Sequence, residues 1–108
     1  MILVLGSAVA RDGKLAEALS LSQAHVLRSR AEQGCVAHAV HADTETPNRL
    51  VFVEQWASEA ALWEHFKLPD SRAFAKALAA LAAEPPGMNV YSATPVQLPG
   101  RPAVAVQA

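Results

Sequence analysis

The chain has 108 residues, of which 52% belong to the hydrophobic set and 18% are charged, a balance that excludes a disordered chain and suits one domain with one core. A formal net charge of −1 without any Lys/Arg run gives phosphate-backbone binding little electrostatic support, so no nucleic-acid partner is expected. The single cysteine, Cys35, excludes an internal disulfide and a Cys-rich metal site and gives no sign of an oxidising compartment, so a cytoplasmic location is expected.

Ile2 to Ala10 is a nearly continuous apolar run that ends in a turn at Asp12-Gly13, the pattern of a buried central strand. It lacks the basic flank of a signal segment and falls far short of the ~20 apolar residues that span a bilayer, so no membrane association is expected. Lys14 to Arg30 follows with helical period, placing Leu15, Ala18, Leu19, Ser22 and Val26 on one stripe. Gly34 is placed to let the chain leave this helix through a positive φ.

Cys35 to Ala42 reads as a strand, with Val36, His38 and Val40 alternating against Cys35, Ala37, Ala39 and His41. Asp43 to Asn48 is polar and turn-rich, a hairpin loop. Arg49 to Trp56 is the clearest strand, with Leu50, Phe52, Glu54 and Trp56 on one face and Val51, Val53 and Gln55 on the other. Ser58 suits an N-cap for a helix over Glu59 to Lys67. After Leu68-Pro69, Asp70 or Ser71 is expected to cap a second helical segment to about Ala83, with Phe74, Ala77, Leu78 and Leu81 as its apolar stripe. Pro85-Pro86-Gly87 stops it, and Met88 to Thr94 reads as the last strand. Residues 1–94 form the expected domain, and 95–108 a Pro-containing tail with weak periodicity.

The order β-α-β-β-α-α-β predicts an α+β, ferredoxin-like split βαβ fold with helices on one face of a four-stranded antiparallel sheet. Both faces of the third strand carry bulky apolar side chains, so the open face needs a cover. A second copy of the chain is the simplest one, which predicts a homodimer.

Ser29-Arg30-Ala31-Glu32-Gln33-Gly34-Cys35 precedes the second strand, and Asp43 through Pro47-Asn48-Arg49 forms the hairpin. Glu54-Gln55-Trp56 closes the third strand, followed by Ser58-Glu59-Ala60-Ala61-Leu62 and His65-Phe66. In order and spacing these segments resemble the antibiotic biosynthesis monooxygenase domain family over roughly residues 1–94. The resemblance implies a dimeric α+β barrel with a cavity between each sheet and its helices. It implies one of several activities: oxidation of phenols or quinols by O₂ without metal or flavin, degradation of haem, or ligand binding without catalysis.

Trp56 matches the family's tryptophan, which helps shape or serve the cavity; a large core side chain at a strand end is the other reading. Glu54 shares the Trp56 face, and if inward its carboxylate is either a base or half of a salt bridge to an Arg. His65 matches a histidine frequent in the family at this helix, and reads either as a proton carrier or as a residue of the helix–sheet boundary. These three are the catalytic candidates. Phe52, Phe66, His38 and Tyr91 are the candidates for contact with a small aromatic substrate, with Tyr91 equally readable as an ordinary strand aromatic. His38 and His41 alternate to opposite faces and cannot chelate one ion together without a bulge, so a metal is not expected from them. The resemblance to the phenol-oxidising members implies no other cofactor. Haem-degrading relatives use an Asn on the first strand, where this chain has Gly6 and Ser7.

Overall fold

The structure is a computed structural model that describes residues 1–101. Seven elements follow one another: β1 (Ile2–Val9), α1 (Leu15–Arg30), β2 (Cys35–Ala42), β3 (Arg49–Trp56), α2 (Glu59–Lys67), α3 (Pro69–Leu81) and β4 (Gly87–Ser92). The strands form one sheet in the order β2-β3-β1-β4, with every pairing antiparallel. The fold is the α+β, ferredoxin-like arrangement expected from the element order. No helix among the described residues is long and apolar enough to cross a membrane.

Strand alternation decides which side chains meet the helices. On β3, Leu50, Phe52, Glu54 and Trp56 are buried, while Val51, Val53 and Gln55 on the other face are half-buried. On β1, Ile2, Val4 and Ala8 are buried. The opposite, uncovered sheet face carries Leu5 and Tyr91, which remain 40% and 47% exposed.

The hairpin between β2 and β3 is built on Asp43. Its Oδ1 accepts from the backbone N–H groups of Glu45 (2.8 Å) and Thr46 (3.1 Å), and its Oδ2 pairs with Arg49 Nη1 at 2.6 Å. Those bonds hold the Asp43 carboxyl down at about 2. Ser58 caps α2 as expected, its hydroxyl accepting from Ala61 N–H at 3.1 Å. Helix α3 departs from expectation at both ends. Leu68, not Asp70 or Ser71, stands at its N-cap, because Pro69 fits the first helical position and forces its predecessor into extended backbone. The helix ends at Leu81 because Ala82 bridges to Ala10 and Ala83 N–H donates to Val9 O at 2.7 Å, drawing the chain out beside β1.

Residues 93–101 carry no strand or helix. The rest of the expected tail, 102–108, lies outside the described residues.

The core is divided. One apolar cluster gathers Ala8, Ala10, Ala18, Leu50, Phe52 and Leu78; the other gathers Ile2, Val4, Trp56 and Leu62. Glu54 falls between Phe52 and Trp56 on the inward face of β3, so a carboxylate stands where the two clusters would otherwise join. Buried Ser22, His25, Ser29, His38, His65 and Ser71 complete this polar seam.

Candidate functional site

The seam draws on five elements: α1, β2, β3, α2 and, through Ser71, α3. Position 25 lies seven residues after Ala18 and three after Ser22, so helical period turns His25 onto the sheet-facing stripe of α1. Strand β3 supplies Glu54, and β2 places His38 directly opposite it in register. Helix α2 supplies His65, one turn beyond Ala61. The two buried α1 serines that flank His25 satisfy their hydroxyls on the preceding turn: Ser22 donates to Ala18 O and Ser29 to His25 O, both at 2.7 Å.

Beside the seam lies a cavity of about 410 Å³, within the usual span of small-molecule pockets, ~300–1,000 Å³. Phe52, Phe66, Phe74, Leu78 and Met88 form much of its apolar wall. His25, Glu54 and His65 form its buried polar floor, with Ser7, Ser71 and Arg72 also lining it. Gly6 contributes a wall without a side chain, which leaves room where β1 passes beneath the cavity.

Glu54 is held from two sides. Trp56 Nε1–H donates to Glu54 Oε1 at 3.0 Å, and His38 Nε2 lies 3.2 Å from the same oxygen. Burial by itself would raise the Glu54 carboxyl, but the neighbouring His38 and the Trp56 bond outweigh it, and the group is held below the usual carboxylate range. The His38 contact is off the axis of a well-formed hydrogen bond, and both ring nitrogens of this fully buried imidazole are without a hydrogen-bond partner. Of the two readings of Glu54, a salt bridge to an Arg does not form among the described residues; an imidazole and an indole take the place of the guanidinium.

His65 Nδ1 sits 2.9 Å from both Glu32 oxygens. A carboxylate only accepts, so Nδ1–H donates, and in the neutral ring the lone pair is then on Nε2. The His65 ring also lies against Trp56, with centroids 4.7 Å apart. His25 stacks face to face on Phe74 at 3.9 Å and 4°. Burial, reinforced by the nearby His38 and His65, pushes the His25 imidazole down to about 3. Cys35, at the start of β2, has its thiol pushed up to about 11 by burial and by the Glu32 and Glu54 charges.

Of the residues singled out from sequence, Glu54, His65, Phe52 and Phe66 line the cavity. Trp56 does not: it is fully buried and reaches the site through its bond to Glu54. His38 stands beside Glu54 and off the cavity wall. Tyr91 pairs with Leu3 on the uncovered sheet face, because strand alternation puts it one residue out of phase with Met88 and Val90. Sequence reasoning missed His25, Glu32 and Arg72. His25 was readable from its spacing to Ala18 and Ser22; Glu32 meets His65 across 33 positions and leaves no local signal.

The model of the family described as antibiotic biosynthesis monooxygenase matches residues 1–77. The chain belongs to that family. An uncharacterized protein of Synechocystis sp. is 31% identical over 96 residues, which are 89% of this chain and 65% of that protein. The chain thus spans about two-thirds of that relative's length. Among solved structures, an antibiotic biosynthesis monooxygenase superposes with a TM-score of 0.81 at 23% identity, covering 88% of this chain and 100% of the other. One described as a candidate antibiotic biosynthesis monooxygenase from Deinococcus radiodurans gives 0.84 at 22%, covering both chains fully. At these identities the superpositions establish the shared fold. In this antibiotic biosynthesis monooxygenase domain the cavity lies between sheet and helices, where the family resemblance led us to expect one.

Proposed function

We propose that the domain is a cofactor-independent monooxygenase that oxidises a small aromatic phenol or quinol with O₂. The carrying observation is a buried carboxylate, Glu54, kept ionised at the floor of an aromatic-walled cavity. A flat aromatic substrate would lie against Phe52, Phe66 and Phe74, with its hydroxyl directed to the polar floor. Glu54 Oε2, which receives no hydrogen bond among the described residues, takes the hydroxyl proton. The resulting anion is electron-rich enough to reduce O₂. One oxygen atom replaces a ring hydrogen and ends as a carbonyl; the O–O bond breaks and the other oxygen leaves as water, carrying the ring hydrogen and the hydroxyl proton, so the substrate supplies all four electrons that O₂ takes up. His65 Nε2 is placed to take up the ring proton as the carbonyl forms and pass it to the departing oxygen, and Arg72 offers positive charge to the anion. Trp56 acts as a positioning residue for Glu54.

The same reading makes the working unit a homodimer in the cytoplasm, its two sheets facing through Leu5, Tyr91 and their neighbours. It takes residues 1–94 as the catalytic domain and 95–108 as an appended tail. Aerobic incubation with a panel of phenols and quinols, followed by O₂ uptake, tests the proposal. Substrate-dependent uptake lost in Glu54→Gln is expected. No uptake with any substrate by folded protein would leave ligand binding without catalysis. Degradation of haem gains no support from this geometry, since the cavity wall on β1 is Gly6 and Ser7 and carries no Asn.

A further inference from the structure

The polar seam holds more imidazole than proton transfer needs. His25, His38 and His65 come from α1, β2 and α2, and their ring centroids are 5.2 to 5.7 Å apart. One nitrogen from each lies within 4.8 Å of the other two. We infer that these three histidines form a binding site for a divalent first-row transition-metal ion, open on its cavity side.

Three features of the cluster argue for a ligand. First, His38 is fully buried with neither ring nitrogen hydrogen-bonded, and an unsatisfied buried polar group is costly. A metal would occupy its lone pair. Second, Glu32 grips His65 Nδ1 and leaves Nε2 as the ligating atom, the carboxylate–histidine arrangement that fixes the tautomer of metal-binding imidazoles. Third, Glu54 stands 3.2 Å from His38, able to provide a carboxylate oxygen as a further ligand. Imidazole favours Zn²⁺, Cu²⁺, Fe²⁺ or Ni²⁺ over Mg²⁺ and Ca²⁺, which take oxygen ligands. Around a tetrahedral ion bound at ~2.0–2.1 Å the nitrogens stand about 3.3 Å apart, so the rings must draw together by up to about 1.5 Å. His25 and His65 line the cavity, so a remaining coordination position would face the space open to a small ligand.

This inference goes beyond the oxidation reading and does not depend on it. The test titrates untagged, chelator-treated protein with Zn²⁺, following heat and stoichiometry by calorimetry, and with Co²⁺, following visible absorption. One ion per protomer is expected, with Co²⁺ bands of a low-symmetry nitrogen site and no response to Mg²⁺. His38→Ala and His65→Ala should each weaken binding at least tenfold. His41→Ala, an exposed histidine outside the cluster, should bind as wild type. Circular dichroism and a melting curve check the fold of each variant. If His38→Ala fails to fold, His65→Gln and a Zn²⁺-dependent rise of the wild-type melting temperature carry the test. No saturable binding, or binding unchanged in both cluster variants, would overturn the site. Turnover of a quinol by the chelated protein bears only on the oxidation reading, so the two fail separately.

Discussion

Trp56 and Glu54 sit two residues apart on one face of β3, and the indole N–H of the first donates to the carboxylate of the second at 3.0 Å. The bond gives a buried charge one of the partners it requires and engages Oε1, leaving Oε2 without a hydrogen bond among the described residues. Glu54→Gln keeps an acceptor for the indole and removes the base. Turnover should fall by about 10²–10⁴-fold while the melting temperature changes little. Trp56→Phe leaves the charge without its indole donor, so urea denaturation should show a loss of about 1–3 kcal/mol together with reduced turnover. Equal turnover in Glu54→Gln and wild type would remove Glu54 from the chemistry.

Gly34 has φ of 86°, and a Cβ built on it would stand 2.5 Å from Ala61 Cβ, at the first turns of α2. Gly34→Ala therefore combines left-handed backbone strain with a collision between the α1–β2 turn and α2. A loss of about 1–3 kcal/mol is expected, read as a lower urea midpoint at unchanged slope. A midpoint within error of wild type would contradict the packing described here.

Gly6 lies under the cavity with ordinary backbone, and its nearest would-be Cβ contact is Gly87 O at 3.4 Å. Gly6→Val should fold and project its methyls into the ligand space. Ligand affinity or KM should worsen by at least tenfold, with the melting temperature lowered only slightly.

Asp43 anchors the hairpin as a carboxylate, with its folded pKa lowered from 3.8 to about 2. A lowered folded pKa means that the unfolded chain binds the proton more readily. This contribution to stability is thus present above about pH 4 and is lost as the pH falls toward 2. Asp43→Asn should flatten that part of the stability–pH curve, measured by denaturant unfolding from pH 5 to pH 2.

Leu5 stands on the uncovered sheet face, 40% exposed. Leu5→Glu places a charge at the proposed contact between sheets. Sedimentation should show dimers for wild type and monomers for the variant at micromolar concentration. Stable wild-type monomers would sink the dimer proposal.

The fold was legible because its signals are local. Alternation over Arg49–Trp56 gave β3 its bounds and its inward face, and Ser58 marked the start of α2. Where expectation slipped, at the ends of α3, the deciding contacts were Pro69 acting on its predecessor and the distant pairing of Ala82 with Ala10. The site was legible in part. Glu54 and His65 stood out as polar residues on otherwise apolar faces. His25 shares the helical spacing of Ala18 and Ser22, but on a stripe that already carries serines one more polar residue does not draw notice. The meeting of His65 with Glu32, and of three imidazoles from three elements, is made by tertiary packing, to which no sequence spacing points.

The state of Cys35 bears on how this chain withstands oxidants. With its pKa near 11, the side chain is almost entirely in the S–H form at neutral pH. Peroxide attack requires the thiolate, and so does disulfide exchange. Sulfenic acid formation at this position is correspondingly slow. The lone sulfhydryl at the head of β2 is therefore expected to react slowly with peroxide and with glutathione disulfide.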